Sequence, residues 1–197
     1  GVQNVLIGGL AGDAINSASN NTALGYSSLT ANTTGINNVG IGSGALFTNT
    51  TAANNTAVGT NSLLLNTTGA NNTAVGFLSL DANDTGGSNV AVGFSALGAN
   101  TTAAYNTAVG NAALAINTTG TQNVAVGAFA LDANTTANDN TAVGYAALTT
   151  NTTGASNTAV GRNALGLNLT ADYNTAVGYQ ALTANTTGYS NTAVGVD

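Results

Sequence analysis

Apolar and polar positions alternate in one short segment that returns along the whole chain. It reads Asn, a Thr or Val, a small residue, an aliphatic residue and Gly, most often as "NTAVG". The closing glycine falls at Gly8, Gly25 and Gly42 and then every 17 residues to Gly195, with no insertion, which makes eleven complete repeats and the start of a twelfth. Counted from that Asn, position 1 is Asn in all twelve copies, from Asn4 to Asn191, and position 4 is always Val, Ile or Leu. Position 8 is Ala or Ser, and position 9 is Leu in ten of eleven copies, the exception being Gly12. Position 12 is Asn in ten of eleven, position 14 is Ser or Thr, and position 15 is Gly or Ala.

Self-similarity at a fixed period is the signature of a repeat architecture. A unit of 17 residues is too short for a helix-turn-helix repeat, and its Thr, Val, Asn and Gly content opposes helix. Hairpins are disfavoured too, because no Asn-Gly or Asp-Gly pair occurs despite 26 glycines. The pattern predicts an all-β parallel β-solenoid, or β-roll, in which each position sits over the same position one coil away at about 4.8 Å. Proline cannot donate the bond between coils, and the chain has none. The constant length follows as well, since one extra residue would throw every later position out of register.

Strands are expected over "TAVG" and again around positions 7 to 10. In the first, positions 2 and 4 share one face while positions 3 and 5 share the other. The Val and Leu positions are expected inside. The Ala/Gly face is expected to admit a neighbouring backbone, and because one coil buries few apolar groups, a second or third chain is expected to pack there. Residues 1–197 read as a single array, with only Gly12 and its neighbours deviating enough to hint at a cap. The start at Gly1 and the end partway through a repeat point to a piece of a longer chain.

Composition narrows the partners. Charged residues make up 4%, the net charge is -6, and Arg162 is the only cation. Binding a polyanion by counterion release needs several Lys or Arg, so nucleic acid is not an expected partner. Disordered chains lack apolar residues, whereas 43% are apolar here, so an ordered chain is expected. No apolar run approaches the roughly 20 residues of a membrane span.

The strings "NVAVG" (Asn89 to Gly93) and "NTAVG" with its following Ala-Leu resemble the head repeats of trimeric autotransporter adhesins. "NTAVGYQALTANTTG", Asn174 to Gly188, is similar to arrays in phage tail-fibre and surface-fibre proteins. The resemblance covers the whole chain. It implies a left-handed, trimeric, fibrous roll used for reach and attachment at a cell or virion surface. The adhesin heads have a shorter period, so "NTT" stands here as an added excursion.

Three sets of residues carry candidate chemistry. Position 12 opens an Asn-x-Thr glycan acceptor at Asn32, Asn49, Asn66, Asn83, Asn100, Asn117, Asn134, Asn151, Asn168 and Asn185. The competing and favoured reading is a turn ladder of amides bonded from coil to coil. Position 6 carries Tyr26, Phe77, Phe94, Tyr145 and Tyr179 among polar residues, a pattern expected to face solvent and able to grip sugar rings. Thr fills position 2 in eight copies, which suggests an ice-binding face, but its same-face partner at position 4 is aliphatic; core or interface lining is preferred.

Catalysis is not expected. His, Cys, Glu and Lys are absent, so no nucleophile-base pair or zinc cluster can form. Asp13, Asp81 and Asp132 share position 10, but at four and three coils apart they exceed the spacing of a glycosidase pair. No cofactor or metal is expected.

The reading that follows is a structural segment of an extracellular fibre, a shaft about 53 Å long from eleven rises, whose partner is itself as a homotrimer. The alternatives are a module binding cell-surface glycan, a host surface or ice, and an end-to-end filament subunit, with or without glycans on the Asn-x-Thr acceptors above.

Overall fold

The computed structural model describes residues 1–196. Twelve strands of three residues each, from β1 (Val5–Ile7) and β2 (Thr22–Leu24) to β12 (Thr192–Val194), pair in chain order as one parallel sheet. Every pairing is in exact 17-residue register, Thr158 opposite Thr175 and Val160 opposite Val177 for example. The predicted parallel β-solenoid with 17-residue coils is the observed fold, and among the described residues there is no helix.

One strand forms per coil, not two. Positions 7 to 10 are expected as a strand and are turns instead, because positions 7 and 9 hold left-handed backbone, as at Ala112 (φ 54) and Leu114 (φ 51). Position 17 does the same, as at Gln122 (φ 60). Left-handed backbone costs a residue with a Cβ roughly 1–2 kcal/mol. Its use here is to turn the chain while keeping peptide groups along the stacking axis. Ala112 N–H donates to the Phe94 carbonyl one coil back at 2.9 Å, and Leu114 N–H to the Ala130 carbonyl one coil on at 3.0 Å. The turns thus bond to both neighbours as the strands do.

Position 5 shows why only glycine stands there. Gly93 has φ +134, and a Cβ on it would lie 2.5 Å from the Gly110 carbonyl oxygen of the next coil. Both conformation and space exclude a side chain.

The faces of the strand are the reverse of those expected. The Ala of position 3 is the inward residue, fully buried from Ala57 to Ala176, and the Val of position 4 points out, with Val75, Val126 and Val160 each 36% exposed. Position 9 explains the inversion. Its Leu, fully buried from Leu29 to Leu165, enters the narrow interior from the opposite wall, and the core is the cluster of these Leu with the Ala of positions 3 and 8. A coil so narrow holds one large apolar group per layer. Only a methyl fits opposite it.

The first coil demonstrates this by exchange. Position 9 is Gly12 and position 3 is Leu6, and a Cβ on Gly12 would lie 2.7 Å from Leu6 Cδ2 and 2.9 Å from Ile15 Cδ1. The large residue has moved to the other wall. Around the departure that hints at a cap, Leu6 occupies the space beside Gly12 and stays 42% exposed in the first coil.

Candidate functional site

The interior holds two columns of asparagine. At position 12 each Nδ2 donates to the Oδ1 of the Asn one coil back: Asn49 to Asn32 at 3.0 Å, Asn100 to Asn83 at 2.7 Å, Asn151 to Asn134 at 3.3 Å and Asn168 to Asn151 at 2.9 Å. The ladder runs unbroken from Asn32 to Asn185, and its members from Asn32 to Asn168 are fully buried. The same Nδ2 also donates to the position 15 carbonyl three residues on, as Asn151 to Gly154 at 2.8 Å.

From Asn49 to Asn168 both amide hydrogens are therefore engaged inside a closed wall, while Asn32, with Ile15 one coil back, donates only to the Gly35 carbonyl. All nine Asn-x-Thr nitrogens from Asn32 to Asn168 belong to fully buried residues in the formed coil, and Asn185, partly buried, makes the same two bonds. The amide ladder is the role the geometry gives them.

Position 1 forms the second column by a different bond. The Asn140 backbone N–H donates to the Asn123 side-chain oxygen at 3.0 Å, while Asn140 Nδ2 donates to the Gly154 carbonyl at 2.8 Å. That carbonyl thus accepts from Asn140 and Asn151 together. The two asparagines clamp the "NTTG" turn across the coil. Every buried side-chain nitrogen and oxygen among the described residues has a partner, which is what low-dielectric burial of amides requires.

On the outside, positions 2 and 4 make a stripe of Thr, Val, Ile and Leu along all twelve strands. The Thr of position 2 is half-buried, not core, from Thr22 to Thr175. Position 2, Thr in eight strands and Val in four, thus runs beside a rank of aliphatic groups at position 4.

The aromatic residues of position 6 are exposed as expected: Tyr26, Phe77, Phe94, Tyr145 and Tyr179. They do not form one continuous row. Phe77 and Phe94 stack on each other with centroids 5.8 Å apart. Farther along, Arg162 lies over the Tyr145 ring at 5.7 Å and the Tyr179 ring at 5.8 Å, and Phe129 meets Tyr145 edge-on at 6.0 Å. Arg162, one of the polar residues interleaved with the aromatics at position 6, thus joins them in space. The 17-residue step from Tyr145 to Arg162 and on to Tyr179 was the available signal.

The acids are scattered, and among the described residues no three metal-ligating side chains group together. Asp132 accepts from Thr149 Oγ1 one coil on at 2.6 Å. Burial raises the Asp81 carboxyl above its ordinary value, against a smaller lowering by backbone N–H bonds at Asp81 and Ala82. Comparison with known proteins returns no matching family model, no matching curated protein and no matching solved structure.

Proposed function

We propose that this array is a structural segment of an extracellular fibre, a stiff spacer at a cell or virion surface that serves reach and attachment. In this reading the coils wind left-handed and three chains associate along their lengths. The observation that supports it is the outer stripe of positions 2 and 4, uncharged and in register over all twelve strands. A face with one Thr or Val and one aliphatic group every coil matches best a partner with the same step, and another copy of the chain has it. In this reading the association lies on the Thr/Val stripe, since the Ala face expected to carry it is sealed inside the roll.

The test is the mass of the chain in solution beside that of a variant carrying Val92→Asp, Val109→Asp and Val126→Asp. The expected result is a trimer that becomes a monomer with unchanged circular dichroism. A wild-type chain that sediments as a monomer at every concentration defeats the trimeric reading, and a variant that stays trimeric moves the interface elsewhere. Threads of indefinite length in electron micrographs would favour end-to-end stacking instead. An ice-binding role would rest on the Thr column alone, and its absence is expected in a thermal hysteresis measurement, since the second rank is aliphatic.

A further inference from the structure

We propose that Tyr145, Arg162 and Tyr179 form a binding site for a saccharide bearing a single carboxylate, with Asn163 and Gln180 beside them. Arg162 is the only cation of a chain with net charge -6, and it occupies the gap between two tyrosines, each one coil away. The one acid of these coils, Asp172, falls at position 16, and Asp132 and Asp139 of the coil before fall at positions 10 and 17, none of them at position 6. The guanidinium carbon lies 5.7 and 5.8 Å from the two ring centroids, within cation–π range of both. Arg162 is exposed, and its guanidinium carries the N–H fork that pairs with a carboxylate through two parallel bonds.

The flanking chemistry is that of sugar recognition. Tyr145 and Tyr179 are 50% and 43% exposed, and away from the sides turned to Arg162 they offer apolar ring surface for the C–H side of a pyranose together with hydroxyl groups. Asn163 and Gln180, at the next position of the repeat, carry side-chain amides that make no hydrogen bond among the described residues, so donors and acceptors for sugar hydroxyls follow Arg162 and Tyr179 directly in the chain. No other part of position 6 combines these groups; Phe77 and Phe94 cover each other's faces and have no cation near them. One cation on an acidic chain matches one carboxylate, and repulsion disfavours a polyanion.

The site does not depend on the fibre reading: a monomeric chain leaves it standing, and failure to bind sugar leaves the trimer standing. The experiment titrates the full chain with sialyllactose and with a glucuronate-terminated disaccharide, with lactose as the neutral control, followed by chemical shifts of the amide resonances. Shifts centred on residues 145–180 are expected with at least one acidic sugar and not with lactose. Arg162→Gln should weaken that binding about tenfold or more with unchanged circular dichroism, Arg162→Lys should recover part of it, and Tyr179→Ala should weaken it as well. Equal binding of lactose, undiminished binding in Arg162→Gln, or no binding of either acidic sugar each overturns the proposal.

Discussion

Two asparagine ladders run along this roll, and they tolerate change very differently. The inner one, Asn32 to Asn185, links each coil to the one before at 2.7 to 3.4 Å. The outer one, Asn20, Asn37, Asn54 and Asn71 at position 17, makes the same amide-to-amide bond at 3.1 to 3.2 Å. Yet position 17 passes to Ser88, Tyr105 and Gln122 in the following coils, while position 12 stays Asn through ten. The bond is the same, so the bond does not set the difference. An amide inside the wall that loses its partner is left unsatisfied at a cost of roughly 1–3 kcal/mol, whereas an exposed one turns to water.

The largest effect should come from breaking the inner ladder with a side chain of the same branching and no polar atom. Asn100→Leu strands the Asn83 oxygen and an Asn117 amide hydrogen, and a loss on the order of 3–5 kcal/mol is expected in chemical denaturation. Leu97→Ala, one wall over, empties the layer of its single large group and should cost about 2–5 kcal/mol by the same assay.

Asp81→Asn separates burial from hydrogen bonding by pH. The folded carboxyl pKa is raised, so ionisation costs the folded chain more than the unfolded one, and stability falls as pH rises from below the ordinary carboxylate value through the raised one. The variant should melt higher than the wild type above that range and alike below it. A melting difference that persists unchanged at low pH would refute the assignment.

At the outer ladder, Asn54→Ala should shift the denaturation midpoint by an amount worth under about 0.5 kcal/mol. Ser88→Asn, which extends the column from Asn71 and suits left-handed backbone (φ 59), should gain a few tenths of a kcal/mol at most. A loss at Asn54 as large as that at Asn100 would break the comparison outright.

The period, the parallel stacking and the amide ladder were all legible in the spacing of Asn, Leu and Gly. The facing of the strand was not, because hydropathy favours Val58 over Ala57 as the core residue, and only the reach of Leu63 from the opposite wall reverses that. A clue did stand in the chain itself: where position 9 loses its Leu at Gly12, position 3 gains one at Leu6. Read as an exchange, that pair places positions 3 and 9 in contact. The missing second strand had no such clue, since Leu is a poor residue for left-handed backbone and nothing local announces φ 51 at Leu114. At position 6 the exposed rings were foreseen, and the placement of Arg162 between two of them needed the coil step applied to side chains.

The hydrogen bonds that join the coils all lie along the stacking axis, and that direction decides how the rod meets a pull on its two ends. Such a load falls on the bonds of one boundary at a time, peeling a coil away instead of shearing a sheet. Each 17-residue coil released pays out up to roughly 55–60 Å of chain where it had spanned about 4.8 Å. The same object is stiff against bending, through its continuous ladders, and extensible under tension. It is a rod that behaves as a spool.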